Sequence, residues 1–235
     1  MLKISQRLLA LAQQVPSGSR VADIGTDHAL IPCYLASRGI SSFVVGVDLH
    51  KGPLIAANHT VQLSGMSQYI SIREGNGLAP LAPGEADVVI IAGMGGDTIR
   101  EILDQAPEVL EEVKKLILQP MTGSYHVRGW LFQNGWTIEK EDIIQEEGRI
   151  YEIIVAEKGA SPVLHEMELS YGPFLIQNKH PLLLGIMEKD IISLQDIVKR
   201  LAKSTGKEAR RKQLQLAKRI EEIKELIEWL SVAKP

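Results

Sequence analysis

At 235 residues the chain has room for one large domain or two smaller ones, and its apolar fraction of 45% is ordinary for a globular protein. Net charge is −3, which gives no global attraction for nucleic acid, so a polyanionic partner would need a local patch. No stretch reaches the roughly eighteen apolar residues of a membrane span, the N-terminus lacks a signal-peptide run, and the single Cys33 excludes an intrachain disulfide; the cytoplasm is the expected compartment.

In chain order, residues 2–14 (Leu2, Leu8, Leu9, Leu11, Ala12) read as a short amphipathic helix that Pro16 and Gly18 stop. Arg7 on this helix either points into solvent or reaches back over the strand that follows. Arg20 to Gly25 alternates as a strand, and helix spacing resumes at Ala29 (Ile31, Leu35) and runs to about Arg38, with Gly39 closing it. Such a strand-to-helix turn opens a doubly wound sheet: glycine lets a ligand approach the backbone, and free N–H groups face outward. The dinucleotide fingerprint G-x-G-x-x-G is absent, because Thr26, Asp27 and His28 follow Gly25. A carboxylate at the turn repels a pyrophosphate and suits a cofactor with a sulfonium and an amino group, of which S-adenosylmethionine is the obvious one. Asp27 equally suits an N-cap for a helix starting at His28, and the two roles are compatible.

The nearly all-apolar run Phe43 to Leu49 reads as a strand buried on both faces, and Asp48 stands at its end, roughly twenty residues past the glycine turn, where an acid accepts ribose hydroxyls. A helix over 52–63 ends at Gly65. His50 and His59 have no partner at metal spacing, so no metal is expected. After a strand over 69–73, Gly75-Asn76-Gly77 forms a tight loop in which Asn76 can offer donor and acceptor to a purine edge, or simply turn the chain. Ala86 to Ala92 is the most apolar strand and is expected to be central; it runs into Gly93-Met94-Gly95-Gly96, across the same crevice, where a substrate would meet the cofactor. Lys115 to Gln119 is a further strand, and Pro120 is expected to stop it with Gln119 near the site. A helix over 125–134, then strands over 136–145 and 150–157 joined by Glu146-Glu147-Gly148, make an antiparallel finish that suits a methyltransferase sheet better than a dehydrogenase sheet.

Lys158 to Pro162 is a linker by composition, placing a domain boundary between 1–159 and 160–235. Two segments with heptad-like seams follow (Leu184, Met187, Ile191, Leu194, Val198, Leu201, then Leu214, Ala217, Ile220, Ile223, Ile227, Leu230), broken at Ser204-Thr205-Gly206. They predict an antiparallel coiled-coil hairpin. Lys199, Arg200, Lys203, Lys207, Arg210, Arg211 and Lys212 concentrate near the break, with Lys218 and Arg219 further on. A one-signed local patch of this kind suits phosphate contact and would position RNA without reading its sequence.

The motifs Asp23-Ile24-Gly25-Thr26-Asp27-His28-Ala29, Val47-Asp48, Gly75-Asn76-Gly77, Ala92-Gly93-Met94-Gly95-Gly96 and Gln119-Pro120, together with the helical hairpin, resemble the TrmK family of bacterial tRNA (adenine-22-N1) methyltransferases over essentially the whole chain. The resemblance implies a Rossmann-like class I sheet with an all-α coiled-coil domain, S-adenosylmethionine as cofactor, and tRNA as partner. It places Arg7, Asp23, Gly25, Thr26, Asp48, Leu49, Asn76, Gly77 and Gly93 around the cofactor. Gly25 and Thr26 border its methionine part, Asp48 its ribose, and Asn76 with Gly77 its adenine. Asp27, then His28, are expected to serve the transfer, with Met94 and Gln119 lining the target pocket. The competing expectations are a class I methyltransferase of a non-RNA substrate whose coiled coil dimerises, and a catalytically silent cofactor-binding module.

Overall fold

The computed structural model describes residues 4–160, 162–204 and 206–232. Leu2, Thr205 and Ser161, which the sequence places in the first helix, the hairpin break and the linker, lie outside them. The chain falls into two compact units, Met1–His165 and Glu166–Pro235.

The first unit is one seven-stranded sheet with helices packed against it. Its elements are α1 (Gln6–Ala12), β1 (Ser19–Ile24), α2 (Leu30–Ser37), β2 (Ser41–Asp48), α3 (Lys51–Ser64), β3 (Ile70–Glu74), β4 (Val88–Gly95), α4 (Gly96–Asp104), α5 (Pro107–Glu112), β5 (Lys115–Thr122), α6 (Ser124–Gln133), β6 (Trp136–Glu146) and β7 (Arg149–Lys158). Strand order is β3-β2-β1-β4-β5-β7-β6. The first five strands are parallel, and β7 pairs antiparallel with both β5 and β6. Parallel strands are covered on both faces, which is why Val44, Val45, Val88 to Ile91 and Leu116 to Leu118 are all buried without alternation. β1 and β4 are neighbours although β2 and β3 intervene in sequence, so the chain reverses its direction of travel across the sheet there. A crevice opens at the carboxyl ends of the strands flanking such a point. The β6–β7 hairpin turns on Glu147 and Gly148, both with positive φ (49° and 75°), the pair a two-residue primed turn requires.

Two expectations need correction, and one element is new. Pro120 does not end β5, which runs to Thr122. Pairing with β7 has already stopped at Leu118, and an irregularity in the β4 pairing between Ala92 and Met94 accommodates the ring that has no N–H to give. The helix after the first turn begins at Leu30, not His28, and its cap is Ala29 with no side-chain hydrogen bond, so Asp27 is not its N-cap. The short α5 was not anticipated; Pro107 at its first position supplies the start.

The second unit holds α7 (Glu166–Tyr171), α8 (Pro173–Gln177), α9 (Leu183–Leu201) and α10 (Lys207–Ser231). The α9 and α10 helices pack together across a short connection, as an antiparallel hairpin must. Leu183, Met187, Ile220, Ile223 and Leu230 form its buried seam. Leu214 is 73% exposed and Ala217 is also exposed; toward the break the partly buried positions are Gln213 and Leu216, so the seam there lies beside the predicted one. At the base, the buried Tyr171 donates its hydroxyl hydrogen to Asp190 at 3.0 Å. Its pKa is pushed up by burial and by that carboxylate. Arg219 lies over the Tyr171 ring at 5.9 Å, donates to Ser170 and faces Glu166 and Glu222.

Candidate active site

The turn after β1 is built from three left-handed residues: Gly25 (φ 72°), Asp27 (φ 49°) and Ala29 (φ 54°). This conformation is costly for L-residues, so the surroundings must hold it. They do so from β2. The Val47 carbonyl accepts from the N–H groups of Gly25 (2.8 Å) and Thr26 (3.0 Å), and Asp48 Oδ2 accepts from the Asp27 N–H at 3.1 Å. The other Asp48 oxygen accepts from the His50 N–H at 3.0 Å. Each carboxylate oxygen keeps a further lone pair for a ligand hydroxyl.

Two cavities flank this turn. One, of about 290 Å³, is lined by Arg7, Asp23, Gly25, Thr26, Asp27, His28 and Gly93, among others. The second, of about 360 Å³, is lined by Asp48, Leu49, His50, Asn76, Gly77, Met94, Thr98 and Ile102, among others. Ile24, Gly25 and Asp27 border both, so the cavities adjoin over the glycine. A Cβ on Gly25 would run into the thioether methyl of Met94, and a Cβ on Gly77 would press on Ile102 at 2.9 Å. Glycine is required at both places to leave space as well as to take positive φ.

The first cavity is polar. Asp23 is buried, and burial raises its carboxyl pKa to about 6; the Thr26 hydroxyl, donating to it at 2.7 Å, and the charge of Arg7 pull the other way, while Asp48 adds to the rise. An acid raised by burial is one that a cation would relieve. Arg7 faces the same cavity, donating from Nη1 to Gln119 Oε1 at 2.8 Å and lying over the Tyr151 ring at 5.2 Å; its backbone N–H donates to Glu146 at 3.2 Å. A carboxylate for an ammonium and a guanidinium for a carboxylate fit an amino-acid head. The second cavity has Asp48 for a diol and Leu49, Pro53, Met94 and Ile102 as apolar walls for a ring, with Asn76 at its edge. The donor set therefore fits S-adenosylmethionine.

The structure brings twelve of the thirteen sequence-predicted site residues to these two cavities. Gln119 is the exception: it is fully buried, lines neither, and stands behind Arg7, its Nε2 donating to the Pro120 carbonyl at 3.1 Å. Asp27 and His28 are both well exposed at the mouth, with the imidazole Nε2 3.7 Å from Asp27 Oδ1. His50, Thr98, Ile102 and Tyr151 escaped sequence reasoning. Thr98 and Ile102 lie one turn apart directly after the glycine turn, a legible signal; Tyr151 reaches Arg7 across the sheet and has none.

A parallel five-strand core closed by an antiparallel hairpin, with a glycine turn after the first strand and an acid ending the second, defines the class I S-adenosylmethionine-dependent methyltransferase fold. Residues 21–225 match the model of the family TrmK, tRNA (adenine(22)-N(1))-methyltransferase. The chain belongs to that family. It is 36% identical to a Bacillus subtilis tRNA (adenine(22)-N(1))-methyltransferase over 97% of this chain and 98% of that one. The crystal structure of the B. subtilis m1A22 methyltransferase TrmK superposes with a TM-score of 0.91 at 33% identity, covering 97% of this chain and all of the other. The structure of M. capricolum TrmK in complex with S-adenosylhomocysteine superposes with a TM-score of 0.84 at 28% identity, covering 96% and 98%.

Proposed function

We propose that the protein transfers the methyl group of S-adenosylmethionine to N1 of adenine 22 in tRNA, the activity that its family's name states. The observation that carries the reading is the pair of adjoining cavities over Gly25, one furnished for an amino-acid head and one for a nucleoside, with Asp27 and His28 at their mouth.

S-adenosylmethionine, when bound, supplies a methyl carbon made electrophilic by its sulfonium. Adenine N1 is a neutral nucleophile with an in-plane lone pair, so the chain need not supply a strong base; it must hold the ring in line. Arg7 and Asp23 fix the amino-acid end of the cofactor, and Asp48 fixes the ribose. Gln119 acts through Arg7, holding the guanidinium toward the cavity, and is a positioning residue. As N1 gains the methyl the adenine ring becomes cationic. The Asp27 carboxylate at the mouth stabilises that charge and accepts a hydrogen bond, or the proton, from the exocyclic amine, with His28 hydrogen-bonding beside it. Met94, whose thioether methyl lies against Gly25 where the cavities adjoin, lines the pocket for the target adenine.

In the helical unit Lys203, Lys207, Arg210, Arg211 and Lys212 are exposed, and among the described residues no ion pair engages them. Lys199 and Arg200 are also exposed but lean on Asp196. This patch, within a domain running from 160 to 235, contacts tRNA phosphates, while 1–159 carries the chemistry. Lys218 pairs with Glu222 and Arg219 belongs to the base of the hairpin, so both stand outside the contact. Among the described residues no group of acids, histidines and cysteine forms a metal site, and no helix is long and apolar enough to cross a membrane.

The reading is tested by replacing adenine 22 of an unmodified tRNA with guanine. Methyl transfer to the original tRNA and none to the variant is the expected result; equal labelling of both would place the methyl elsewhere.

A further inference from the structure

Tyr125 and His126 line neither cavity, and no step above uses them. The pairing of β4 with β5 sets Met94 against Pro120 and Gly95 against Thr122. Beyond it the two turns touch: a Cβ on Gly96 would run into the Gly123 carbonyl, so the backbones are in direct contact. The turn that presents Gly93 to the first cavity and the turn that starts α6 therefore form one frame.

On that frame Tyr125 (43% exposed) and His126 carry their rings into solvent, centroids 5.8 Å apart and planes at 80°. Asp97, from the first turn of α4, holds His126 Nδ1 at 2.8 Å, which fixes the imidazole and leaves Nε2 as its remaining hydrogen-bonding atom. Two perpendicular exposed rings, one anchored, make a corner against which a flat heterocycle can lay a face and an edge.

We propose that Tyr125 and His126 form a stacking corner for a base of the substrate tRNA that neighbours the methylated adenine. The inference rests on the methyltransferase reading and adds a substrate contact to it. N1 is on the pairing edge, so the target adenine must be unpaired and drawn out, and the base beside it loses a stacking partner; an aromatic side chain replaces that partner. Asp97 also pairs with Arg100 at 3.4 Å, so its charge is largely engaged, and what the corner offers a ligand is its two exposed ring faces. The corner sits on the β5 side of the Gly93–Met94 turn, on the helix that follows the paired strand end, beside the cavities rather than in them, which suits a base neighbouring the target rather than the target itself.

The experiment compares the full-length wild type with Tyr125→Ala, Tyr125→Phe and His126→Ala, using unmodified tRNA and a tRNA carrying 2-aminopurine beside adenine 22. Tyr125→Ala is expected to raise the KM for tRNA about tenfold or more, as the loss of one aromatic–base stack does, with affinity for S-adenosylmethionine unchanged by calorimetry. Tyr125→Phe keeps the ring and brings KM back toward the wild-type value, and His126→Ala raises it less than Tyr125→Ala. Fluorescence of 2-aminopurine is quenched on binding wild type and not on binding Tyr125→Ala. Equal quenching by both proteins, or a Phe variant as impaired as the Ala variant, overturns the corner. A wild type that quenches the probe but transfers no methyl overturns the reaction and leaves the corner standing.

Discussion

Burial raises the Asp23 carboxyl to about 6, above the ordinary value near 4, so the folded state holds a proton there that the unfolded chain has already released. The stabilising contribution of the protonated form is present below about pH 4 and is lost as the pH rises through about 6, amounting to about 3 kcal/mol across that window. A bound ammonium reverses the preference, because it favours the ionised acid. Affinity for S-adenosylmethionine is therefore expected to fall as the pH drops below about 6, with a proton released on binding, and Asp23→Asn should bind more weakly with a flat pH profile. Calorimetry in buffers of different ionisation enthalpy reads both quantities. An unaltered profile in Asp23→Asn would detach Asp23 from the cofactor. At the mouth, Asp27 takes positive φ, which asparagine also tolerates, so Asp27→Asn should spare the turn and cofactor binding while slowing transfer. Undiminished turnover would remove Asp27 from the chemistry. Asp48→Ala, by contrast, strips an acceptor from two backbone N–H groups as well as from the ribose, and should abolish measurable cofactor binding.

At the scale of elements, α6 is fastened to the hairpin by one buried ion cluster: Arg128 is fully buried, with Nε donating to Glu141 at 2.7 Å and Nη2 to Glu152 at 2.6 Å. Arg128→Ala leaves two carboxylates facing a hole and should cost about 3–5 kcal/mol of stability, read by denaturant titration. A loss under about 1 kcal/mol would mean that α6 is held by its apolar face alone. What was legible in the sequence follows from how local each signal is. The strand-to-helix turn, the acid ending β2 and the glycine turn after β4 each announce themselves within a few residues, as do the long apolar strands. Pro120 misled because whether a proline ends a strand depends on which neighbours still need its N–H, and β7 had already left. Gln119 was drawn to the site by its place at a strand end, yet Arg7, 112 residues away, takes its amide oxygen and occupies the cavity wall instead. The end of the hairpin seam shifted because near a break little packing fixes helix rotation, and periodicity alone does not choose between Leu214 and Leu216.

For the whole molecule, the acidic total and the basic patch are reconciled by location. The chain carries 29 acids against 26 lysines and arginines, yet Lys203 in the connection after α9 and Lys207, Arg210, Arg211 and Lys212 in the first turns of α10 gather at one end of the hairpin. Reversing Arg210, Arg211 and Lys212 to glutamate should weaken tRNA binding and flatten its salt dependence by roughly 0.7–0.9 in logarithmic slope for each phosphate no longer neutralised, with the affinity for S-adenosylmethionine untouched. Unchanged slope would make that face a solvated end of a coiled coil.

The proposed reaction alters one atom of one nucleoside, and the most direct measurement follows that atom. The wild-type protein is incubated with isotopically labelled S-adenosylmethionine and tRNA lacking modification, and the nucleosides are then separated and weighed. Labelled 1-methyladenosine is the predicted product, absent when the tRNA carries guanine at position 22. Label in any other nucleoside, or bound cofactor with no labelled nucleoside at all, would contradict the assignment.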